Sequence, residues 1–193
     1  MNDDVSGRVR NATLTTLSDQ HYVLRKAAYD FRRQDGVWQK QARESFDMGD
    51  GAAVLPMDAA RGLVLLIRQF RWPVFEAGYK KLLIEAVAGK LDGHTPEACV
   101  RKEAREEAGI TLGRTQCVFH SFMSPGAVTE RLSLFVAGYD SAAPREKSGG
   151  IAAEGEDIQV LELPLDQAMG LIASGAIIDA KTIMLLQWAA LNI

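Results

Sequence analysis

Apolar residues in the first half of the chain occur in short runs, either alternating with polar residues or continuous for a few positions, as is typical of β-strands. Turn sequences interrupt these runs, notably Gln34-Asp35-Gly36 and Gly49-Asp50-Gly51. The pattern therefore predicts that the first third of the chain is all β. Strands are predicted at about residues 21–33, 37–46, 52–57, 62–70 and 81–87.

One helix in the middle of the chain is bounded by clear capping signals. Thr95 suits the N-cap, Pro96 suits the first helical position and Gly109 is a typical stop, so a helix is predicted at about 96–108. Gly89 is expected to form a tight turn shortly before this helix. Further strands are predicted near 114–123, 131–139 and 157–163, and helices at about 165–174 and 179–191. This order of elements indicates an α+β fold.

Composition and charge exclude several classes of protein. The 193 residues are 47% hydrophobic, with a net charge of -3, so we expect no general attraction to nucleic acid or to anionic membranes. The chain begins without an apolar segment of the signal-peptide kind, and no run approaches the length of a membrane span. Cys99 and Cys117 lack the spacing of a zinc site, which fits a reducing, cytoplasmic setting.

Candidate chemistry is concentrated on the predicted helix. Glu103 and Glu107 are four residues apart and thus one turn apart on the same face, with Glu106 beside them. Such a cluster could be a solvated face that Arg101, Lys102 and Arg105 partly neutralise. Alternatively, carboxylates in this arrangement could bind a hard divalent cation such as Mg²⁺, which prefers oxygen ligands.

The segment from Gly89 to Ile110, with its K-E-A-R-E-E-A-G-I core, resembles the Nudix box of pyrophosphohydrolases. The match departs from the family pattern in four ways, of which two lie within the core: Lys102 replaces the Arg, and Ala104 is a small apolar residue. His94 and Thr95 stand where the family has an early Glu, and the spacing from Gly89 to Glu103 is one residue short. The short spacing is typical of the GDP-mannose pyrophosphatase subgroup, which the chain also resembles elsewhere.

Several other segments carry the same resemblance, in the same order along roughly residues 17 to 190. They are L-S-D at 17–19, A-R-E at 42–44, L-I-R-Q-F-R at 66–71, L-I-E-A-V-A-G at 83–89, S-P-G-A-V-T-E at 124–130, E-D-I-Q-V-L-E-L-P at 156–164 and A-K-T at 180–182. The S-P-G segment is shared with ADP-ribose pyrophosphatases. The resemblance implies a Nudix α/β/α sandwich at residues 49–193, preceded by a β-rich subdomain at residues 1–48 that serves dimerisation and substrate contact.

The resemblance also implies a metal site and catalytic groups. The expected metal ligands are Glu103, Glu107, Glu156 and the backbone carbonyl of Ala88, around Mg²⁺ with Mn²⁺ as the alternative. Glu156 is the first candidate for the general base, with Glu106 and Glu107 as the other catalytic carboxylates. Glu156 follows a polar stretch at 141–155 that is expected to form a surface loop, and Glu154 is a nearby substitute for it.

Substrate contacts are predicted by the same resemblance. Arg71 is the first choice, because its planar guanidinium can bind two phosphate oxygens at once. The full predicted set is His21, Arg43, Glu44, Arg71, Ala88, Gly89, Glu130 and Lys181.

The function expected from this resemblance is hydrolysis of the diphosphate of a nucleoside diphosphate sugar, first of all GDP-mannose to GMP and mannose 1-phosphate. Three alternatives stay open: the same chemistry on ADP-ribose, a non-catalytic Nudix module that binds a nucleotide sugar, and a structural interaction protein whose carboxylates are only solvated. The resembling enzymes are homodimers in which N-terminal strands cross to the partner, so a homodimer is expected.

Overall fold

The computed structural model describes residues 4–151, 153 and 155–192. The chain divides into two compact units. The smaller unit comprises Met1–Gly49 and Ser124–Glu130, and the larger comprises Asp50–Met123 and Arg131–Ile193. Glu154, considered above as a substitute for Glu156, lies outside the described residues.

The smaller unit is built on an antiparallel sheet of three strands in the order β1-β2-β3. The strands are β1 (Val9–Asp19), β2 (Val23–Arg32) and β3 (Trp38–Asp47), after a short 3-10 helix at Ser6–Arg8. A cation-π contact adds to the stability of the sheet, since the Arg10 guanidinium lies 3.9 Å from the centre of the Trp38 ring.

Two predictions for this region were wrong. No strand was predicted at 9–19, and the first strand was predicted to start at 21, whereas His21 lies in the turn before Val23. The reason is that β1 is exposed at all but one position, so its sequence carries no alternating buried face.

The larger unit contains a seven-stranded mixed sheet with the order β10-β5-β4-β9-β8. Strand β6 pairs with β5, β7 pairs with β4, and the pairing of β4 with β9 is parallel. The strands are β4 (Gly51–Asp58), β5 (Leu63–Gln69), β6 (Leu83–Glu85), β7 (Val87–Lys90), β8 (Thr115–Phe122), β9 (Arg131–Gly138) and β10 (Gln159–Pro164). The strand predicted at 81–87 is thus divided between β6 and β7.

In the described residues of the larger unit, four α-helices accompany the sheet: α1 (Trp72–Glu76), α2 (Pro96–Ala108), α3 (Leu165–Ala173) and α4 (Ala180–Asn192). The predicted bounds of α2 are confirmed. The Ala98 N–H donates to Thr95 Oγ1 at 3.3 Å, and Gly109 adopts the left-handed conformation at φ 66° that ends the helix. The turn predicted at Gly89 was wrong, because Gly89 lies in β7 opposite Ala52 and the chain turns at Gly93 instead.

The sheet of the larger unit is covered by helices on both faces. Strand β4 is buried throughout, so its alternate residues contribute to two separate cores. Ala52 and Val54 pack in the core with α2, whereas Ala53 and Leu55 pack in the core with α3 and α4. This layering is an α/β/α sandwich, and the predicted α+β class and sandwich are confirmed.

Candidate active site

Three carboxylates of α2 occupy different environments although they lie within five consecutive residues. Glu107 is 3% exposed because it falls on the face of α2 that packs against the sheet. The Glu103 side chain is 15% exposed and that of Glu106 33%. Lys102 Nζ donates to both of these, at 3.3 Å to Glu103 and 2.8 Å to Glu106. The alternative that these carboxylates form a solvated face therefore applies to only part of the cluster.

Glu107 is held against β7 by a backbone contact. The Ala88 N–H donates to Glu107 Oε2 at 3.2 Å. Burial, and then the negative charge of Glu103, raise the pKa of Glu107 to about 8, although the Ala88 N–H and the Arg71 guanidinium favour the charged form. The charged form of Glu107 is thus unfavourable in the protein alone, a condition that a bound cation would relieve.

Gly89 is required by the close approach of α2 to β7. A side chain at this position would overlap the Glu103 carboxyl group. The absence of a Cβ therefore lets the backbone of β7 and the Glu103 carboxylate lie side by side, with the carbonyl of Ala88 on the same strand.

Glu156 lies just before β10, at the end of a loop that packs against the C-terminus of α2. The Gly149 N–H donates to the Glu107 carbonyl and the Gly150 N–H to the Glu106 carbonyl, both at 3.3 Å. The Glu156 carboxylate accepts from the Ile151 N–H at 2.8 Å. Burial first and then neighbouring charges, that of Glu156 among them, raise the pKa of Glu103, so this loop carboxylate acts on the cluster electrostatically.

The donor set fits a hard divalent cation by its chemistry. It offers closely spaced carboxylate oxygens, a backbone carbonyl on an adjacent strand and a glycine that allows the close approach. Within residues 4–151, 153 and 155–192, however, no three His, Cys, Asp or Glu side chains already form a group that could hold a metal ion. The predicted ligands Glu103, Glu107, Ala88 and Glu156 are therefore neighbours and not a preassembled cage.

Arg71 and Lys181, both predicted substrate contacts, are joined by a carboxylate that the sequence analysis did not identify. Arg71 Nε donates to Glu85 Oε2 at 2.9 Å, and Lys181 Nζ donates to Glu85 Oε1 at 2.7 Å. Burial works against the charge of Arg71, but the carboxylates of Glu85, Glu107 and Glu156 outweigh it and raise its pKa. The signal for Glu85 was one charged residue in the otherwise apolar run L-I-E-A-V-A-G.

Of the other predicted substrate contacts, Ala88 and Gly89 lie in β7, and the remaining four lie in the smaller unit. His21 is exposed and its ring lies tilted beside that of Tyr22, with ring centres 4.4 Å apart. Arg43 and Glu44 are exposed residues of β3, and Glu130 is a half-buried residue that directly precedes β9. Their roles in binding stay predictions.

Comparisons with known proteins agree with this fold. A model of the NUDIX domain matches residues 48–186, and a model described as the GDP-mannose pyrophosphatase NudK N-terminal domain matches residues 8–46. The chain therefore belongs to the Nudix hydrolase family, as the sequence resemblance predicted. It is a Nudix pyrophosphohydrolase by class, and Nudix hydrolases generally use divalent metal ions.

Its curated relatives define the similarity more closely. The chain is 47% identical to a GDP-mannose pyrophosphatase of Pectobacterium atrosepticum over 177 residues, which are 91% of each chain. It is 45% identical to that of Cronobacter sakazakii over 172 residues, 89% of each chain. A solved structure titled as an ADP compounds hydrolase has a TM-score of 0.69 and covers 94% of this chain and 93% of its own, but at 16% identity it indicates the fold alone.

Proposed function

We propose that this protein hydrolyses GDP-mannose to GMP and mannose 1-phosphate, with water entering at one phosphorus of the diphosphate. The observation that carries this proposal is the 47% identity to a GDP-mannose pyrophosphatase, which extends over 91% of the chain. The buried and half-buried carboxylates of α2, with Arg71 and Lys181 nearby in the same unit, support it chemically.

We propose Mg²⁺ as the metal, with Mn²⁺ as the alternative. Glu103, Glu107 and the carbonyl of Ala88 would hold it, since these oxygens belong to the closely packed pair of α2 and β7. A divalent ion bound there would neutralise charge on the diphosphate and acidify a water molecule.

The remaining tasks fall to side chains of this chain. Glu156 is the proposed general base, because it lies on a loop packed at the end of α2 and its charge already acts on Glu103 and Glu107. Glu106 is held by Lys102 at 2.8 Å and is the reserve for this role. Arg71 and Lys181 would bind phosphate oxygens and so orient the diphosphate towards the attacking water.

We further propose that residues 1–48 serve dimerisation and substrate contact, through His21, Arg43 and Glu44, together with Glu130. The exposed apolar residues of β1 support a homodimer, since Leu14 is 64% exposed and Leu17 48%. Light scattering coupled to size exclusion tests this. A mass near twice 21.1 kDa supports the dimer, and a mass near 21.1 kDa contradicts it.

A cytoplasmic location is proposed as well. Cys99 and Cys117 are both free thiols, which fits a reducing compartment. In the described part of the chain, no helix combines the length and apolar character that crossing a membrane requires.

The activity is tested with GDP-mannose and ADP-ribose incubated together with the purified protein and Mg²⁺. GMP and AMP are followed by chromatography, with EDTA and a Glu107→Gln variant as controls. Faster release of GMP is expected, and it should stop in EDTA. Faster release of AMP would assign the protein to ADP-ribose instead, and release of neither nucleotide would contradict the proposed hydrolysis.

A further inference from the structure

Glu85 is a buried carboxylate that pairs with two cations from separate elements. Its side chain is 4% exposed, and each of its oxygens accepts from a different cation, Arg71 Nε at 2.9 Å and Lys181 Nζ at 2.7 Å. Arg71 directly precedes α1, whereas Lys181 lies in the first turn of α4. One side chain of β6 therefore fixes the distance between these two cations.

The geometry at Arg71 leaves its binding edge available. A guanidinium carries five N–H donors in one plane, and Glu85 engages only the Nε side. In the part of the chain that the structure describes, neither Nη1 nor Nη2 donates a hydrogen bond to another residue. The Nη edge can thus donate to two phosphate oxygens at once. Its charge interacts with Glu107 and Glu156, so it lies beside the acidic cluster.

Lys181 is fixed from two sides. Besides Glu85, Lys181 Nζ donates to Asp179 Oδ1 at 3.0 Å. Asp179 Oδ2 accepts from the N–H and the hydroxyl of Thr182, at 3.0 and 2.5 Å, and Thr182 Oγ1 accepts from the Ala86 N–H at 2.7 Å. Because Ala86 follows Glu85, the start of α4 is fastened to the same short stretch of chain that pairs with its lysine.

We propose that Glu85 is a positioning residue, which holds Arg71 and Lys181 side by side so that both donate to the diphosphate of the substrate. Without a carboxylate between them, the two cations would repel each other. With Glu85 and Asp179 the two cations are balanced in charge, so the group offers an anionic ligand oriented donors: the Nη edge of Arg71 and the third N–H of Lys181. The inference rests on the proposed function for its substrate, but the contacts that carry it do not depend on the choice of base or sugar.

Two substitutions separate positioning from simple neutralisation of charge. Glu85→Gln keeps the shape of the side chain and removes its charge. Glu85→Asp keeps the charge and shortens the side chain by one methylene, so that it can no longer reach both partners. If Glu85 positions the cations, both variants bind a diphosphate more weakly. If Glu85 only neutralises charge, Glu85→Gln binds more tightly and Glu85→Asp is unchanged.

Calorimetric titration with inorganic pyrophosphate in EDTA measures this without any turnover. We expect both variants to lose affinity, and kcat/KM for GDP-mannose to fall by about 10- to 100-fold, because a small misplacement of orienting groups carries a cost of this order. Equal or tighter binding by Glu85→Gln would overturn the proposal, as would absence of pyrophosphate binding by the wild type. Should the wild type bind pyrophosphate but not cleave GDP-mannose, only the proposed substrate fails.

Asp58→Asn is the matched control. Asp58 is also buried, at 4% exposed, and accepts from an arginine, Arg61 Nη1 at 2.7 Å. It lies opposite Leu63 at the start of β5, whereas Glu85 lies opposite Ile67 near the end of that strand. This variant should bind pyrophosphate as the wild type does. If it binds as weakly as Glu85→Gln, the effect reflects loss of a buried charge in general and not positioning.

Discussion

Substitution of Glu107 by Gln should have opposite effects on activity and on the stability of the metal-free protein. The carboxylate is buried beside Glu103, and its pKa is raised from 4.5 to about 8. At neutral pH the folded protein must therefore either hold a repelled charge or take up a proton. A neutral amide avoids both, and its Oε1 can still accept from the Ala88 N–H.

The magnitude follows from proton linkage. A carboxyl whose pKa is higher in the folded state gives full stability below the ordinary value of 4.5, and loses it as pH rises towards about 8. At pH 7 the raised pKa therefore lowers the free energy of unfolding of the wild type by about 3 kcal/mol, since each pKa unit corresponds to about 1.4 kcal/mol. The buried amide N–H donors of Gln offset roughly 1 to 2 kcal/mol of this. A net gain of about 1 to 2 kcal/mol would raise the melting temperature by roughly 2 to 8 °C.

Thermal unfolding in EDTA at pH 5 and at pH 8 measures this effect. We expect the melting temperature of Glu107→Gln to exceed that of the wild type at pH 8, and the gap between the two melting temperatures to be smaller at pH 5. Mg²⁺ should raise the melting temperature of the wild type more than that of the variant, because a ligand stabilises only the state that binds it. Turnover of GDP-mannose should fall by at least about 10²-fold. A variant that melts several degrees below the wild type in EDTA at pH 8 would refute the reasoning.

Three further predictions concern single contacts. Gly89→Ala should lower kcat/KM at least about tenfold, because the added methyl group would overlap the Glu103 carboxyl group. Gly170→Ala in α3 is the control and should leave kcat/KM unchanged, because a Cβ there meets only open space. Glu156→Gln should lower kcat at unchanged melting temperature, and wild-type kcat in this variant would remove Glu156 from the mechanism. Hydrogen bonds from the Ser141 and Arg61 side chains lower the pKa of Asp58, so wild-type stability falls as pH drops below about 4. When melting temperature is measured against pH, Asp58→Asn should make this decrease at acid pH less steep.

The sequence alone located the helix that carries the chemistry. Its bounds were set by local signals, the Thr95 cap and the Gly109 stop, whose conformations depend on neighbouring residues only. The order of most strands and helices was also predictable, because each buried strand shows its own apolar pattern. Strand β1 was missed for the converse reason, since it is almost entirely exposed.

Burial within the site was decided by the tertiary structure. Periodicity grouped Glu103, Glu106 and Glu107, but only packing against β7 makes Glu107 3% exposed while its neighbour Glu106 pairs with Lys102 near solvent. Helical periodicity places Glu107, and not Glu106, on the face shared with Val100 and Ala104. How deeply that face is buried depends on which strand lies beneath the helix.

The tertiary structure also decided the pairing of Arg71 and Lys181 through Glu85. The two cations are far apart in sequence and each could have been an ordinary surface charge. Residue types and local spacing determined which groups were available for chemistry, as well as the helix that bears the carboxylates. Which groups share a site, and which are buried enough to need a partner, followed only from the packing of distant segments, since burial and charge pairing depend on distances in space.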